Sequence, residues 1–371
     1  MKYWRGFLVA GIIAACTWGL NTFAQTHTTL VDMIFPYVSR MITGGTAEWS
    51  AAVSFCMWQA LLIFAVLGIC ALLALGIVLR WNILQLSGWI AAVISLIVFL
   101  NTGIFGINNY AGPLADDIQL NVTNYEISEL EDAAKYYLEE AIKAKNNIPT
   151  DAYVGAEVTF PDFETLAQQA ENGFHSLVYE EKFSVFAGSM VPVKKLGWKG
   201  YYTGNSTTGV TVHLTGEAAV NPNVPGILLP YAICHEMAHR MSIASDRDAN
   251  FSAFLACTHN EDPYFVYSGY VNAYRYCLKA LQSFSSEAAT AAVGRLEAIE
   301  KGQFSGEIAA IDGFYKKTED AADFRENVQL LVSWYIQEIY LPAHVDEDAP
   351  SFDPLDETQV DLNGFVNDPN A

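Results

Sequence analysis

The sequence predicts N-terminal transmembrane helices followed by a mostly α-helical α+β domain with a small β-sheet. Long apolar runs without charge fill the first hundred residues, and most of the remaining chain has apolar residues at helical spacing. One short stretch alternates apolar and polar residues instead. We therefore expect a membrane region at 1–110, a domain at 111–341 and a disordered acidic tail at 342–371.

Two apolar runs are long enough to cross a bilayer, which takes about 20 residues of helix. They are AAVSFCMWQALLIFAVLGICALLALGIVL and LSGWIAAVISLIVFLNTGIF. An earlier run, FLVAGIIAACTWGLNTFA, follows Lys2 and Arg5 and fits either a first transmembrane helix or a signal peptide ending at residues 22–24. The sequence thus predicts two or three transmembrane helices.

Basic residues predict the orientation. If the first segment is retained, Lys2 and Arg5 hold the N-terminus inside and Arg80 lies in the inner loop, so the domain lies outside. If that segment is cleaved, two spans remain and the domain again lies outside. Arg40, in the outer loop, argues weakly for the opposite orientation. We expect a multi-pass protein of the cell membrane with an extracytoplasmic domain.

The charge of the chain lies almost entirely in the domain. The first 103 residues hold four of the 20 basic and two of the 41 acidic residues, which leaves 16 basic and 39 acidic residues downstream. A net charge of about −23 in this part excludes the basic surface that nucleic-acid binding requires. Three of the six cysteines lie in the domain without C-x-x-C spacing, so they allow one disulfide or buried free thiols.

Within the domain, apolar residues at helical spacing predict helices at residues 127–142 and in DFETLAQQAENGF, and again from Leu229 onward. The stretch VTVHL alternates and predicts a half-buried strand. The tail after Pro342 carries eight acidic residues and no Lys or Arg, which is typical of disorder.

The motif HEMAH gives the domain its candidate chemistry. On a helix, His235 and His239 lie four residues apart on one face and can point at a single ion. Glu236 is rotated about 100° from His235, which suits a base acting on a water at the ion. Two histidines, a third protein ligand and an open position describe a catalytic zinc site. The motif therefore predicts one Zn²⁺ per chain and hydrolysis of amide bonds through a zinc-bound water activated by Glu236.

The third ligand is expected from SDRDANFSAFLAC, which offers Asp246 and Asp248. On an ideal helix Asp248 shares a side with Phe251 and Leu255, whereas Asp246 lies about 160° away. Asp248 is therefore our predicted ligand. A capping box that begins at Ser245 is the alternative, because the Asp248 carboxylate would then turn back to its own helix.

Two further roles are predicted from neighbouring residues. Tyr267 and Tyr270, in YSGY, are the candidate stabilisers of the transition state, and packing residues are the alternative. Thr211 and His213, in the predicted strand, are candidates for a substrate-binding edge strand that pairs with an extended peptide. An ordinary sheet strand is the alternative there.

These residues resemble a bacterial membrane family labelled domain of unknown function 3810, a zincin-like group with H-E-x-x-H. The likeness covers about residues 60–340, through GINNYAGPLADDIQL, TGVTVHLTGEAAVNPNVPGILLPYAICHEMAHR, DRDANFSAFLAC and FVYSGYVNAYRY. The resemblance implies N-terminal spans, an extracytoplasmic zincin-like metallopeptidase domain, His235 and His239 as ligands and Glu236 as base. It implies Asp248 as the acidic ligand, where the family usually has Glu.

The sequence therefore predicts a membrane-anchored, zinc-dependent metallopeptidase whose partners are the lipid bilayer and a peptide or protein substrate. A non-catalytic sensor or scaffold that contains zinc is the first alternative. An intramembrane protease is the second, and the polar stretch RMSIASDRD directly after His239 argues against it.

Overall fold

The N-terminal region forms four helices in the computed structural model, which describes residues 4–120, 124–155, 157–316, 322–344 and 359–360. Their bounds are α1 (Arg5–Thr26), α2 (Thr28–Ser50), α3 (Met57–Val78) and α4 (Ile83–Ile104). Helices α1, α3 and α4 are long and apolar enough to cross a membrane. They support the expected association with a membrane.

Helix α2 occupies the segment between the first two apolar runs, which is expected to be an outer loop. One face of α2 is buried through small and polar residues, among them Ser39, Thr43 and Ala47. The same helix carries Asp32 and Arg40, which bond to backbone groups of the domain. Helix α2 therefore joins the apolar helices to the domain.

The domain is mostly helical, as predicted. Its first helices are α5 (Leu114–Asp117), α6 (Ile127–Asn146), α7 (Phe163–Val178) and α8 (Lys199–Gly204). After the sheet come α9 (Leu229–Arg240), α10 (Asp246–Thr258), α11 (Pro263–Gln282), α12 (Glu287–Glu300), α13 (Ser305–Tyr315) and α14 (Ala322–Trp334). A π-helical segment (Tyr335–Tyr340) leads into α15 (Leu341–His344), and short 3-10 turns lie at Gly106–Tyr110, Thr150–Ala152, Glu181–Phe186 and Gly226–Leu228. Helices α6 and α7 confirm the two predicted from apolar spacing.

The strands are short. In chain order they are β1 (Tyr125–Glu126), β2 (Tyr153–Val154), β3 (Glu157–Val158), β4 (Lys194–Lys195), β5 (Gly209–Val212), β6 (Glu217–Val220) and β7 (Gln359–Val360). Strands β4, β6 and β5 form one sheet in that order, with β4 parallel and β5 antiparallel to β6. Strand β5, the predicted VTVHL strand, thus lies at an edge of the sheet in the described part of the chain.

The core of the domain lies between its helices and is rich in aromatic rings. Phe254 on α10 packs edge-on against Tyr137 of α6, Tyr270 of α11 and Tyr335. Tyr137, Phe254 and Tyr335 belong to one buried apolar cluster, and Tyr270 packs against it. Helix α9 contacts α10 and α11 on one side and strands β5 and β6 on the other. The H-E-x-x-H helix is therefore held between the helical core and the sheet.

The predicted acidic tail lies mostly outside the described residues. Within it, residues 342–344 continue helix α15, and Gln359–Val360 pairs antiparallel with Tyr125–Glu126. The disorder expected for the tail therefore stays a prediction.

Candidate metal centre

Helix α9 is enclosed everywhere except at its two histidines. Pro230 lies in its first turn, where a missing N–H leaves no hydrogen bond unmade. Ten of its twelve residues are buried, and the two that keep partial exposure are His235 and His239. The i, i+4 spacing places both on one face. The only opening along this helix therefore lies over the two imidazole rings.

A tight turn brings the next helix back to this opening. Ser242 follows the helix with φ of 74°, in the left-handed region, and reverses the chain direction. Ser245 then caps α10, where its Oγ accepts a hydrogen bond from the backbone N–H of Asp248 at 3.0 Å. Asp246 is consequently the first residue of α10 and lies at the open end of that helix.

Three side chains converge at the opening. The Nε2 atoms of His235 and His239 lie 3.0 Å apart. The Oδ1 atom of Asp246 lies 3.2 Å from Nε2 of His239 and 3.8 Å from Nε2 of His235. Among the described residues, this is the group of three His, Cys, Asp or Glu side chains whose ligand atoms approach closely enough to share an ion.

The outer nitrogen of each ring is fixed by a hydrogen bond. Nδ1 of His239 donates to the carbonyl of Ile243 at 2.8 Å, and Nδ1 of His235 is 3.0 Å from Oδ1 of Asn250. With protons on both Nδ1 atoms, the Nε2 lone pairs face the centre. Ligand histidines in metal sites are usually oriented in this way.

The pKa shifts of His235, His239 and Asp246 are consistent with one proton held among their three facing atoms. Burial acts to lower the pKa of His239, but the hydrogen bond to Asp246 and the charge of Glu236 outweigh burial and raise that pKa to about 9. Burial and the neighbouring His239 lower the pKa of His235 to about 4. The hydrogen bond from His239 lowers the pKa of Asp246. Three ligand atoms thus compete for one proton, which a divalent cation would replace.

The arrangement fits zinc. Two ligand atoms of a tetrahedral zinc, at Zn–N distances of about 2.0–2.1 Å, are about 3.3 Å apart. The three atoms here form a triangle with sides of 3.0, 3.2 and 3.8 Å. The donor set of two imidazoles and one carboxylate also suits zinc. The side chain of Asp246 is 85% exposed, so the group of three side chains is open to solvent on the side of Asp246.

Glu236 lies beside the centre, under the edge strand. Its carboxylate Oε2 accepts a hydrogen bond of 2.7 Å from Oγ1 of Thr211 on β5. Burial raises the pKa of Glu236 to about 7, against smaller opposing effects of His239 and Thr211. A Cβ atom at Gly209 would lie 2.4 Å from Cγ of Glu236. Glycine at 209 therefore lets the strand pass directly over this carboxylate.

His213, one residue beyond the C-terminal end of β5, contacts helix α9. Its Nε2 donates to the carbonyl of His239 at 3.0 Å, and burial lowers its pKa to about 3. Its ring is stacked on Phe105. The structure therefore brings Thr211 and His213, both predicted edge-strand residues, against the H-E-x-x-H helix.

Asp248, the predicted third ligand, lies elsewhere. Its Oδ2 accepts from the backbone N–H of Leu114 at 2.9 Å, and its Oδ1 pairs with Nε of Arg247 at 2.9 Å. The carboxylate is buried on the packed side of α10, as its helical position indicated, but this side faces the 114 segment and not the histidines. The structure thus groups Asp246, and not Asp248, with His235 and His239.

Tyr267 and Tyr270 pack in the helical core. The hydroxyl of Tyr267 donates to Glu307 at 3.1 Å, and the ring of Tyr270 packs against Phe254. Burial raises the pKa of both phenols. Their described contacts do not include the residues of H-E-x-x-H, so the structure does not bring the predicted transition-state stabilisers to the centre.

Sequence reasoning also missed Asn250, which orients His235. A signal for it exists in the sequence, because Asp246 and Asn250 have the same i, i+4 spacing as the two histidines. Two such pairs on adjacent helices can face each other across one opening. The carbonyl of Ile243, which orients His239, left no sequence signal because any residue supplies a carbonyl.

Comparison with known proteins identifies the family but no characterised relative. No curated protein and no solved structure matches the chain. A family model described as "Protein of unknown function (DUF3810)" matches residues 31–332, from α2 into α14. The match covers most of the chain, including the apolar helices α3 and α4 and the whole candidate centre, and the chain therefore belongs to this family.

Proposed function

We propose that the protein is a membrane-anchored, zinc-dependent metallopeptidase. The observation that carries this proposal is the triangle formed by Nε2 of His235, Nε2 of His239 and Oδ1 of Asp246, with the buried carboxylate of Glu236 next to it in the chain. This arrangement combines three ligands, a base and one open side. A hydrolase needs these parts, whereas a structural zinc site usually has four protein ligands.

Each residue of the centre has a role that follows from its position. His235, His239 and Asp246 would hold the ion, and Asn250 and the Ile243 carbonyl keep the imidazoles oriented. Bound zinc supplies Lewis acidity, polarising a carbonyl and lowering the pKa of water. Glu236, whose pKa lies near neutrality, accepts the proton of the attacking water and passes it to the leaving amine.

Strand β5 would hold the peptide substrate. It lies at the edge of its sheet, and Thr211 on this strand contacts Glu236. An edge strand offers unpaired backbone N–H and C=O groups, to which an extended peptide can add as a further strand. A peptide bound along β5 would run beside Thr211 and therefore close to Glu236, the proposed base.

The proposed membrane topology is based on the positions of the basic residues. Lys2 precedes α1 in the sequence, Arg5 is the first residue of α1, and Arg80 lies between α3 and α4, so the positive-inside rule assigns all three to the cytoplasmic side. Helices α1, α3 and α4 then cross the membrane, and α2 and the domain lie outside. This makes the protein multi-pass, with an extracytoplasmic domain.

The intramembrane alternative requires the motif to lie inside a span. Helix α9 has 12 residues and is separate from the three apolar helices that are long enough to cross a membrane. The geometry therefore favours a centre outside the lipid.

The decisive experiment compares the full-length protein with Glu236→Gln in detergent. We expect both to hold one zinc per chain by elemental analysis, and only the wild type to cleave an unstructured peptide library. Loss of the general base is expected to reduce the rate at least about a hundredfold. Zinc in both proteins without hydrolysis by the wild type would support the non-catalytic scaffold instead, and absence of zinc would refute the site.

A further inference from the structure

The first turn of α3 is bonded to the sheet that borders the candidate centre. The carboxylate of Glu217, on β6, accepts the backbone N–H groups of Met57 at 2.7 Å and Trp58 at 2.8 Å. It also pairs with Nζ of Lys194 at 2.7 Å, and its side chain is fully buried. Glu217 is the direct partner of Val212 on β5. The start of α3 is thus bonded to β6, the strand next to β5, the proposed substrate strand.

Two more contacts attach the same span end to the sheet. Oε1 of Gln59 accepts from the backbone N–H of Gly197 at 2.9 Å, and Sγ of Cys56 donates to the carbonyl of Lys195 at 3.2 Å. Both partners lie in or directly after β4. The sheet is therefore held against α3 through two of its three strands.

The end of α4 reaches the centre by a separate route. Phe105, the residue that follows α4, stacks on His213 with 3.3 Å between ring centroids and 11° between planes. His213 in turn donates to the carbonyl of His239. The side chain of His213 therefore connects Phe105, at the end of α4, with His239, a proposed zinc ligand.

Helix α2 makes a third connection. Nε of Arg40 donates at 3.0 Å to the carbonyl of Met241, two residues beyond His239. These bonds come from three different segments of the N-terminal region and are independent of one another. Together they fix the height of the centre relative to the outer ends of α3 and α4.

Exposed aromatic side chains lie at the same level. Trp198, directly before α8, and Tyr201, within α8, are 46% and 69% exposed. Trp198 packs edge-on against Trp58 in the first turn of α3. Trp49 and Phe55, just before α3, are 70% and 57% exposed. Tryptophan and tyrosine collect at the boundary between lipid and water. Trp198 adjoins the start of α3 through Trp58, so the composition of this patch suits contact with a lipid surface.

These observations limit the distance between Glu236 and the end of α4. Gly209 lies over Glu236, and His213 lies on Phe105. His213 follows Gly209 by four residue steps, which span at most about 13 Å at about 3.3 Å per residue. Resting on the proposed function, we propose that the substrates are membrane-anchored polypeptides, which the protein cleaves in the extended segment immediately outside their own membrane span.

The geometry determines how many residues must lie between the membrane span of a substrate and its cleavage site. A chain that leaves the membrane beside the protein must cover the height of the centre and a lateral offset of about one helix diameter, 10 Å. Between about 5 and 7 extended residues cover that path. A tail anchored in the same membrane also meets the centre at a raised effective concentration, whereas a soluble polypeptide does not.

The test uses full-length protein reconstituted in phosphatidylcholine vesicles with single-span reporters. Each reporter carries an outer tail of tandem copies of one short peptide, so every distance from the membrane offers the same sequence. The same tails without a span serve as soluble substrates, and Glu236→Gln controls for contaminating proteases. Mass spectrometry locates the cleavage sites, and a series of different repeated peptides covers unknown sequence preference.

We expect cleavage within about 10 residues of the reporter span. The anchored tails should be cut at least about tenfold faster than the soluble tails. Equal cleavage of all copies, at the rate of the soluble tails, would overturn the membrane-proximal substrate class and leave the peptidase proposal intact. Cleavage of no tail, anchored or soluble, would refute the peptidase proposal itself.

Discussion

Asp246 places its Oδ1 atom 3.2 Å from Nε2 of His239, although Asp248 is the aspartate on the packed side of the same helix. The two carboxylates lie two residues apart and serve different purposes. Asp246 faces the histidines from the N-terminus of α10. Asp248 accepts a hydrogen bond from the backbone N–H of Leu114. This separation makes the role of each residue testable.

Replacing each aspartate by asparagine should separate metal binding from stability. Asp246→Asn removes one of three proposed ligands, so we expect it to lose most of its zinc. Asp248→Asn should keep zinc and lose about 1–3 kcal/mol of stability, because a buried acceptor of the Leu114 N–H and Arg247 is altered. Zinc stoichiometry and thermal unfolding of the full-length proteins check this. Loss of zinc in Asp248→Asn alone would restore Asp248 as the ligand.

Gly209→Ala should impair hydrolysis without removing the ion. The new Cβ would lie 2.4 Å from Cγ and 2.5 Å from Oε1 of Glu236, so either the base or the strand must move. We expect lower kcat with zinc retained, and a loss of about 1–3 kcal/mol from overpacking. Gly294→Ala on α12, where a Cβ meets no atom within 4 Å, is the matched control. Equal activity of both variants would show that the contact with Gly209 does not position Glu236.

Glu217→Gln should loosen the attachment of α3 to the sheet. The substitution keeps the size of the side chain but leaves Lys194 without its buried counter-charge, which costs about 3–5 kcal/mol. The thermal unfolding midpoint in detergent should fall accordingly. Glu131→Gln, which breaks the exposed pair with Arg295, should cost less than about 1 kcal/mol. Similar midpoints for the two variants would contradict a structural role for the buried pair.

Glu300 should make stability depend on pH. Burial raises the pKa of its carboxyl, and the charges of Glu297 and Asp312 act in the same direction, against the hydrogen bond from Tyr274. Because the folded state holds this proton more tightly than the unfolded state, this contribution to stability falls as pH rises above the ordinary value of 4.5. Glu300→Gln does not titrate, so its melting temperature relative to wild type should be higher at pH 7 than at pH 4. A difference independent of pH would contradict this.

The sequence alone determined the fold class and part of the site. Apolar runs of about 20 residues predict spans because lipid cannot satisfy backbone groups outside a helix, and α1, α3 and α4 have the required length and composition. Helical spacing predicted α6 and α7 because one face of each helix must be buried. The i, i+4 spacing placed His235 and His239 on one face, since this depends only on helix geometry.

Tertiary structure decided which carboxylate joins the histidines. An ideal helix distinguishes a packed side from an exposed side, and on that basis Asp248 was correctly expected to be buried. The two histidines, however, meet α10 at its first turn, because Ser242 reverses the chain just after α9. A side chain at a helix end is directed by the preceding turn as well as by the helical period, so Asp246 faces the histidines.

Tertiary structure also decided that the candidate centre lies close to the ends of the apolar helices α3 and α4. Glu217 and Met57 are 160 residues apart in the chain, and His213 and Phe105 are likewise distant in sequence, yet both pairs are in contact. No local pattern encodes such contacts, because they depend on how α3, α4 and the sheet pack together. The sequence determined that the chain has apolar helices and an H-E-x-x-H helix, and packing alone determined that these two features adjoin.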